Sequence, residues 1–400
     1  MRSIRPALAA ASLAVALVLT ATACESGDKK ADAKPTNSAA QEGDQAGGEG
    51  GAELPEDLDA IADRLKEHGI DVDKWKDGEW KNWDKDKWLR EAKDFANPVI
   101  EDLWSPERMK SAKDPSQTIS AKAASGSEGV TDPEPRPVRA QKERTPYHNY
   151  AAPVGKIFFD TPEGTAVCSG TVVKDPRNPG KSNLVWTAGH CVHQGKKGGW
   201  YRNIVFTPAY NDKGKSPAQM QNAQPQEVAP YGNFWADWVS TSGEWIDGTT
   251  ATDPEGGSYE YDYAVMHVKP EKGGKSLEET VGAALPVDFS SPAPKSVDAM
   301  GAWGYPQAEP FNGVLMHKCV DRPGRLSLTS SAPTMYRIGC TMTAGSSGGG
   351  WFREISNGKL ALVSNTSIGP AGSAGWLAGP QLGDGAKRVF DTMSEKYGNK

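Results

Sequence analysis

NLVWTAGHC, residues 183–191, is the stretch on which the reading of the fold turns. Leu184, Val185, Trp186 and Thr187 form a short apolar run. Ala188 and Gly189 break it, and His190 then stands beside Cys191. A run that short, closed by small residues, reads as a buried strand rather than a helix. The pattern recurs on both sides: VGKIFF (154–159), CSGTVV (168–173), NIVFTPAY (203–210), YAVMHV (263–268), YRIGCT (336–341) and LALV (360–363). With 44 glycines and 29 prolines in 400 residues, turns between such strands are plentiful, so residues 151–400 read as an all-β domain. Val389, Phe390 and Met393 keep helical spacing and predict a terminal helix over 385–397.

Ahead of that domain the chain divides by composition. Arg2 and Arg5, an apolar stretch over 6–19 and the small residues 21–23 make residues 1–23 a signal peptide. An extracellular location and disulfide chemistry follow as expectations. LTATAC (19–24) resembles a bacterial lipobox, which makes Cys24 a lipidation candidate and the outer face of the membrane an attachment point. Ordinary secretory cleavage is the alternative. Past Cys24, residues 25–53 hold no Leu, Ile, Val or aromatic residue, so 24–53 reads as a disordered tether. Leu54, Leu58, Ile61 and Leu65, then Trp88, Ala92, Phe95 and Val99, predict helices in a small module over 54–110, a pro-region or accessory domain. Residues 111–150, centred on PEPRPVRAQKERTP (133–146), read as an exposed, easily nicked linker. The formal net charge of −6 favours no nucleic-acid partner.

A histidine fixed directly after a strand is held as a general base must be. TAGHC (187–191) resembles the histidine motif of the chymotrypsin-like serine peptidases. That resemblance implies two six-stranded antiparallel Greek-key β-barrels, about 154–270 and 282–383, followed by the C-terminal helix and preceded by the small helical N-terminal region. YDYAVMHV (261–268) is similar to the family's Asp-x-Ala-hydrophobic motif and makes Asp262 the residue that orients His190. In TAGSSGGG (343–350), matching the glycines to the family's Gly-Asp-Ser-Gly-Gly makes Ser347 the nucleophile. The N–H groups of Gly345 and Ser347 would then form the oxyanion hole. NGKLALVSNTSIG (357–369) keeps the family's spacing and puts Ser367 and Gly369 on the edge that pairs with substrate backbone. With Cys24 set aside, four cysteines allow three pairings. The resemblance selects Cys168–Cys191 and leaves Cys319–Cys340, each worth roughly 3 kcal/mol. It implies an exported, monomeric serine endopeptidase acting on protein or peptide, without a cofactor. A catalytically inactive relative, a surface lipoprotein that binds protein, is the competing expectation.

The chain departs from the family at named places. Ser346 stands where many members carry an acid, and no Ile-Val-Gly-Gly start is present. DLWSPERMKSA (102–112) resembles a segment upstream of the peptidase domain in secreted actinobacterial relatives, so removal of a pro-region by a cut near Lys142 or Arg144 is expected. Thr341 occupies the specificity position, and Thr366 the place where glutamate-specific relatives often carry histidine. The long interval from His190 to Asp262 holds Trp235, Trp238 and Trp245, which are expected to pack on the barrel. His68, His148, His193, His267 and His317 lack metal-ligand spacing.

Overall fold

Five of the short apolar runs close into a barrel, and the sixth strand comes from the interval between His190 and Asp262, where Trp235 and Trp238 were expected only to pack on it. In the computed structural model the six strands are Val154–Thr161 (β1), Gly164–Val173 (β2), Leu184–Thr187 (β3), Arg202–Pro208 (β4), Phe234–Thr241 (β5) and Ala264–Pro270 (β6). They form a closed antiparallel barrel in the order β1-β2-β3-β6-β5-β4. Closure pairs each strand on both sides, with β2 running past β3, which it meets over Thr171–Val173. Every residue of β1 is buried, because one face fills the barrel and the other is covered by packed chain. Ile157, Val172, Val185, Phe206 and Met266 have no exposed surface in the core. The structure describes residues 101–400 except 116, 125–129, 197, 249–257, 373, 399 and 400. The signal peptide, Cys24, the tether and the helices expected over 54–99 lie outside the described residues.

The second half uses the same kind of strand differently. Met300–Gly304 (β7), His317–Asp321 (β8), Gly350–Ser356 (β11) and Lys359–Asn365 (β12) lie in one sheet, ordered β12-β11-β7-β8. Gly324–Leu326 (β9), Met335–Gly339 (β10) and Trp376–Pro380 (β13) form a second, ordered β9-β10-β13. Where a second closed barrel was expected, two sheets face each other across Met300, Tyr336, Ile338, Trp351 and Leu377. The Cys319–Cys340 disulfide joins them, from β8 to the residue after β10. The terminal helix, Asp384–Tyr397, returns to the first barrel, with Phe390 beside Trp186 and Phe289.

Residues 111–150, read as a linker, pack on this fold at several described points. Gln141–Lys142 adds a fifth strand to the larger sheet by pairing with His317 and Lys318 of β8. Glu143 is buried and accepts from Trp303 Nε1 at 2.6 Å, with the Lys318 ammonium at 2.8 Å. Asp132 grips Arg325, and the Thr341 N–H donates to Val138 O. Such a strap is polar in sequence because it contributes backbone and a few charges rather than a core.

The DLWSPERMKSA segment docks on the first barrel. Ser105 caps the helix Pro106–Ser111. Trp104 packs on Phe158 and donates its indole N–H to Asn203 O at 2.9 Å. The Arg108 guanidinium lies over the Trp104 ring and forks onto the buried Asp160 carboxylate at 2.7 and 2.8 Å.

Candidate active site

His190 sits in a short 3₁₀ turn, Gly189–Cys191, at the end of β3. The Cys168–Cys191 disulfide ties that turn to β2. Asp262, just before β6, accepts the His190 backbone N–H at 2.8 Å on one oxygen and the His190 ring Nδ1–H at 2.7 Å on the other. Ser367 Oγ donates to the second oxygen at 2.5 Å, and Asn365 Nδ2 holds the Asp262 carbonyl. Asp262 is fully buried and His190 is 1% exposed. This bonding assigns the ring proton to Nδ1 and leaves Nε2 as the lone-pair nitrogen. Among the described residues Nε2 has no hydrogen-bond partner. Burial disfavours the imidazolium, yet the charge and hydrogen bond of Asp262, with the Asp114 charge, outweigh it and raise His190 above the ordinary histidine range.

The serine turn lies against the first barrel. Ser169 N–H donates to Ser347 O at 2.7 Å, and Gly348 N–H donates to Thr366 O at 2.8 Å. Gly345 has φ of +101°, and a Cβ there would lie 2.5 Å from Tyr305 O. A side chain is therefore excluded by conformation and by space. Gly348, at φ +74°, would drive a Cβ into Thr187 Oγ1 and the Ser169 carbonyl. Among the described residues no backbone group accepts the N–H of Gly345 or Ser347. Ser346 Oγ donates to Thr343 O at 2.8 Å, and Ser346 borders the same cavity as Ser347.

Ser347 lies at a cavity of about 310 Å³ lined also by Met342, Thr366, Ile368, Pro370 and Leu377. Ser367 and Gly369 border the same cavity. Thr341 does not line it: the Thr341 hydroxyl accepts the Ala140 N–H of the strap at 2.9 Å. Thr366 Oγ1 accepts the Trp351 indole N–H. Trp235 and Trp238 belong to β5, and Trp245 packs beside His190 with its Nε1 on His193 O.

Sequence reading assigned Ser169 no role beyond its place in the CSGTVV run. In the structure Ser169 Oγ donates to Gly345 O at 3.0 Å and accepts the Tyr305 N–H at 3.0 Å, so it fixes the peptide at the start of the turn that carries Ser347. It also missed Asp114. That carboxyl, its oxygens buried and unbonded among the described residues, lies near His190 and Lys156. Burial pushes it up to about 7, against the lowering influence of His190 and Lys156. Lys156 Nζ donates to Gly313 O at 2.8 Å, and burial lowers it to about 7 despite the Asp114 charge. The one cluster of metal-type ligands among the described residues is Cys168, His190 and Cys191. Its cysteines are bonded to each other and its histidine to Asp262, so it offers no ligand set. Burial, then Arg202, lowers His193 to about 4. His267 pairs with Asp237 and stacks on Tyr397.

No protein-family model and no curated protein matches the chain. Solved structures do. A thermostable serine protease, AL20, from an extremophilic microorganism is 32% identical over 98% of its own length and 61% of this chain, with a TM-score of 0.48. The protease Anisep from Arthrobacter nicotinovorans is 27% identical, covering 64% of this chain and 99% of its own, with a TM-score of 0.49. A Glu endopeptidase solved with MPD is 14% identical, covering 66% of this chain and 100% of its own, with a TM-score of 0.46.

Proposed function

We propose that this chain, which belongs to the chymotrypsin-like serine peptidase family, is an exported endopeptidase that cuts peptide bonds through Ser347, His190 and Asp262. Membership rests on the 32% identity along nearly the whole of a solved serine protease, together with the barrel and the two disulfides. One observation carries the catalytic reading. The buried Asp262 binds both the backbone N–H and the ring Nδ1–H of His190, so the imidazole presents a basic Nε2.

In this reading His190 Nε2 takes the proton of Ser347 Oγ as that oxygen adds to the scissile carbonyl. Charge builds on the carbonyl oxygen and is met by the N–H groups of Gly345 and Ser347; one such donor is commonly worth about 10²–10³ in rate. Collapse breaks the C–N bond, with His190 returning the proton to the leaving nitrogen. Water then enters by the same base and releases the acid from Ser347. The cavity lining, Met342, Thr366, Ile368, Pro370 and Leu377 together with the acid Glu309, favours an apolar side chain on the acyl side of the cut bond. Secretion and lipid attachment at Cys24 belong to the same proposal, as does action as a monomer on protein or peptide.

A fluorophosphonate probe with mapping of the labelled residue tests it. Label on Ser347, lost in Ser347→Ala and kept in Ser346→Ala, is the expected result. Label retained in Ser347→Ala and lost in Ser346→Ala would assign the chemistry to the neighbouring serine.

A further inference from the structure

The cleft is occupied by the chain's own N-terminal segment, and the segment runs backwards. On the side of the Cys168–Cys191 disulfide, Lys113 bridges Ala166 in parallel: its N–H donates to Thr165 O and its carbonyl accepts from Val167 N–H, both at 2.9 Å. Gln307 Nε2 holds Ala112 O at 2.6 Å. Asp114 follows, its buried carboxyl set near His190. On the far side Thr118–Ile119 pairs in parallel with Gly369–Pro370. There Gln117 O and Ile119 O accept the N–H groups of Gly369 and Ala371 at 3.4 and 2.8 Å. Gln117 and Thr118 line the cavity beside Ser347, and Ile119 is buried in the cluster containing Trp376, Leu326, Met335 and Ile368. One short stretch therefore engages both arms of the cleft, and both pairings have the same parallel sense.

Direction matters because the chemistry is polar. A peptide is cut only if its acyl part lies toward the cavity and edge at Ser367 and Gly369, and its leaving nitrogen lies on the side of His190. Read from N- to C-terminus, such a substrate passes from the Gly369 edge to the Ala166 edge. Residues 112–115 and 117–119 make the opposite journey. A carbonyl of this segment offered to Ser347 would have its nitrogen on the cavity side, out of reach of the proton held by His190. Two edges can thus be filled with backbone hydrogen bonds, the strongest non-specific attraction a peptide has for a sheet edge, while the bond-breaking step is denied.

Resting on the serine-peptidase reading, we propose that residues 112–115 and 117–119 form a reversed plug that keeps the full-length chain inactive and uncut at the plug itself. The helix Pro106–Ser111 and the Trp104–Arg108–Asp160 contacts hold it from upstream. Activation then means release of this segment, by cleavage downstream of it or by a partner that peels it away.

The test uses the intact secreted chain and the fluorophosphonate labelling rate. Ile119→Asp puts a charge in the apolar cluster and should raise the rate at least about tenfold. A Thr118→Cys, Gly369→Cys pair, placed at partnered positions, should hold the rate at or below that of the unmodified chain until mild reduction. Gly369 admits a Cβ at ordinary contact distances. Peptide mapping should find no cut by Ser347 within residues 112–119. An unmodified chain that labels as fast as a natively melting Ile119→Asp variant, or a self-cut inside the segment, overturns the plug and leaves the peptidase reading standing. No label on any form, including the reduced pair and Ile119→Asp, overturns both.

Discussion

Two polar stretches precede the first barrel strand, and they differ in what they lean on. Residues 131–150 spend their hydrogen bonds on scaffold: Gln141 and Lys142 extend the sheet at β8, Glu143 takes the Trp303 indole and the Lys318 ammonium, and Ala140 takes the Thr341 hydroxyl. Residues 112–115 and 117–119 spend theirs on groups the proposed chemistry needs open, namely the Gly369 edge, the Ala166 edge and the surroundings of His190. Similar composition thus hides opposite roles. One stretch completes the second half of the fold, and the other covers the groups that would receive substrate. A cut near Lys142 or Arg144, expected from the family resemblance, would break an edge strand beside a buried carboxylate. A cut between the plug and residue 131 removes the plug and keeps the strap.

The contrast can be broken by substitutions that should move different observables. Glu143→Ala deletes a buried acceptor and strands the Trp303 N–H, at about 2 kcal/mol. In a domain this size that lowers the melting temperature by about 4–8 °C, with labelling per folded molecule unchanged. Ile119→Asp should show the converse, a changed labelling rate and a strap that stays put. If Glu143→Ala accelerates labelling without destabilising, the strap rather than the plug controls the cleft.

A smaller effect sharpens the electrostatics. The Asp114 carboxylate is one of the charges that favour the His190 imidazolium, and its removal lowers the histidine's proton affinity. Labelling needs neutral His190, so in the uncut chain the rise in rate with pH should begin at lower pH in Asp114→Asn than in the unmodified chain. A midpoint that is unmoved, or moved upward, would place Asp114 outside the field of His190.

The parts of this fold legible in the sequence were those written in contiguous residues. Five barrel strands are short apolar runs, whereas Phe234–Thr241 is interrupted by Asp237 and was read as part of an insertion; the glycine turn around Ser347 declares itself because side chains are excluded at Gly345 and Gly348. The joining of His190 to Asp262, 72 residues apart, was suggested by family resemblance rather than by any local pattern. What stayed hidden depends on partners far along the chain. Glu143 reads as a surface acid until Lys318, 175 residues later, closes over it. Thr341 reads as a pocket residue until the Ala140 N–H, 201 residues earlier, takes its hydroxyl. The second closed barrel was expected from the family resemblance, and strand runs by themselves carry no mark of which edges will meet. The plug was illegible for the same reason: its sense is defined only by the two edges it touches.

The most direct test of the account is the N-terminal sequence of the active species, isolated by its fluorophosphonate label on Ser347. A start between residues 120 and 131, with the plug gone and the strap kept, is the predicted result. Efficiently labelled protein that begins after Arg144, or that still carries residues 112–119 docked in the cleft, would contradict it.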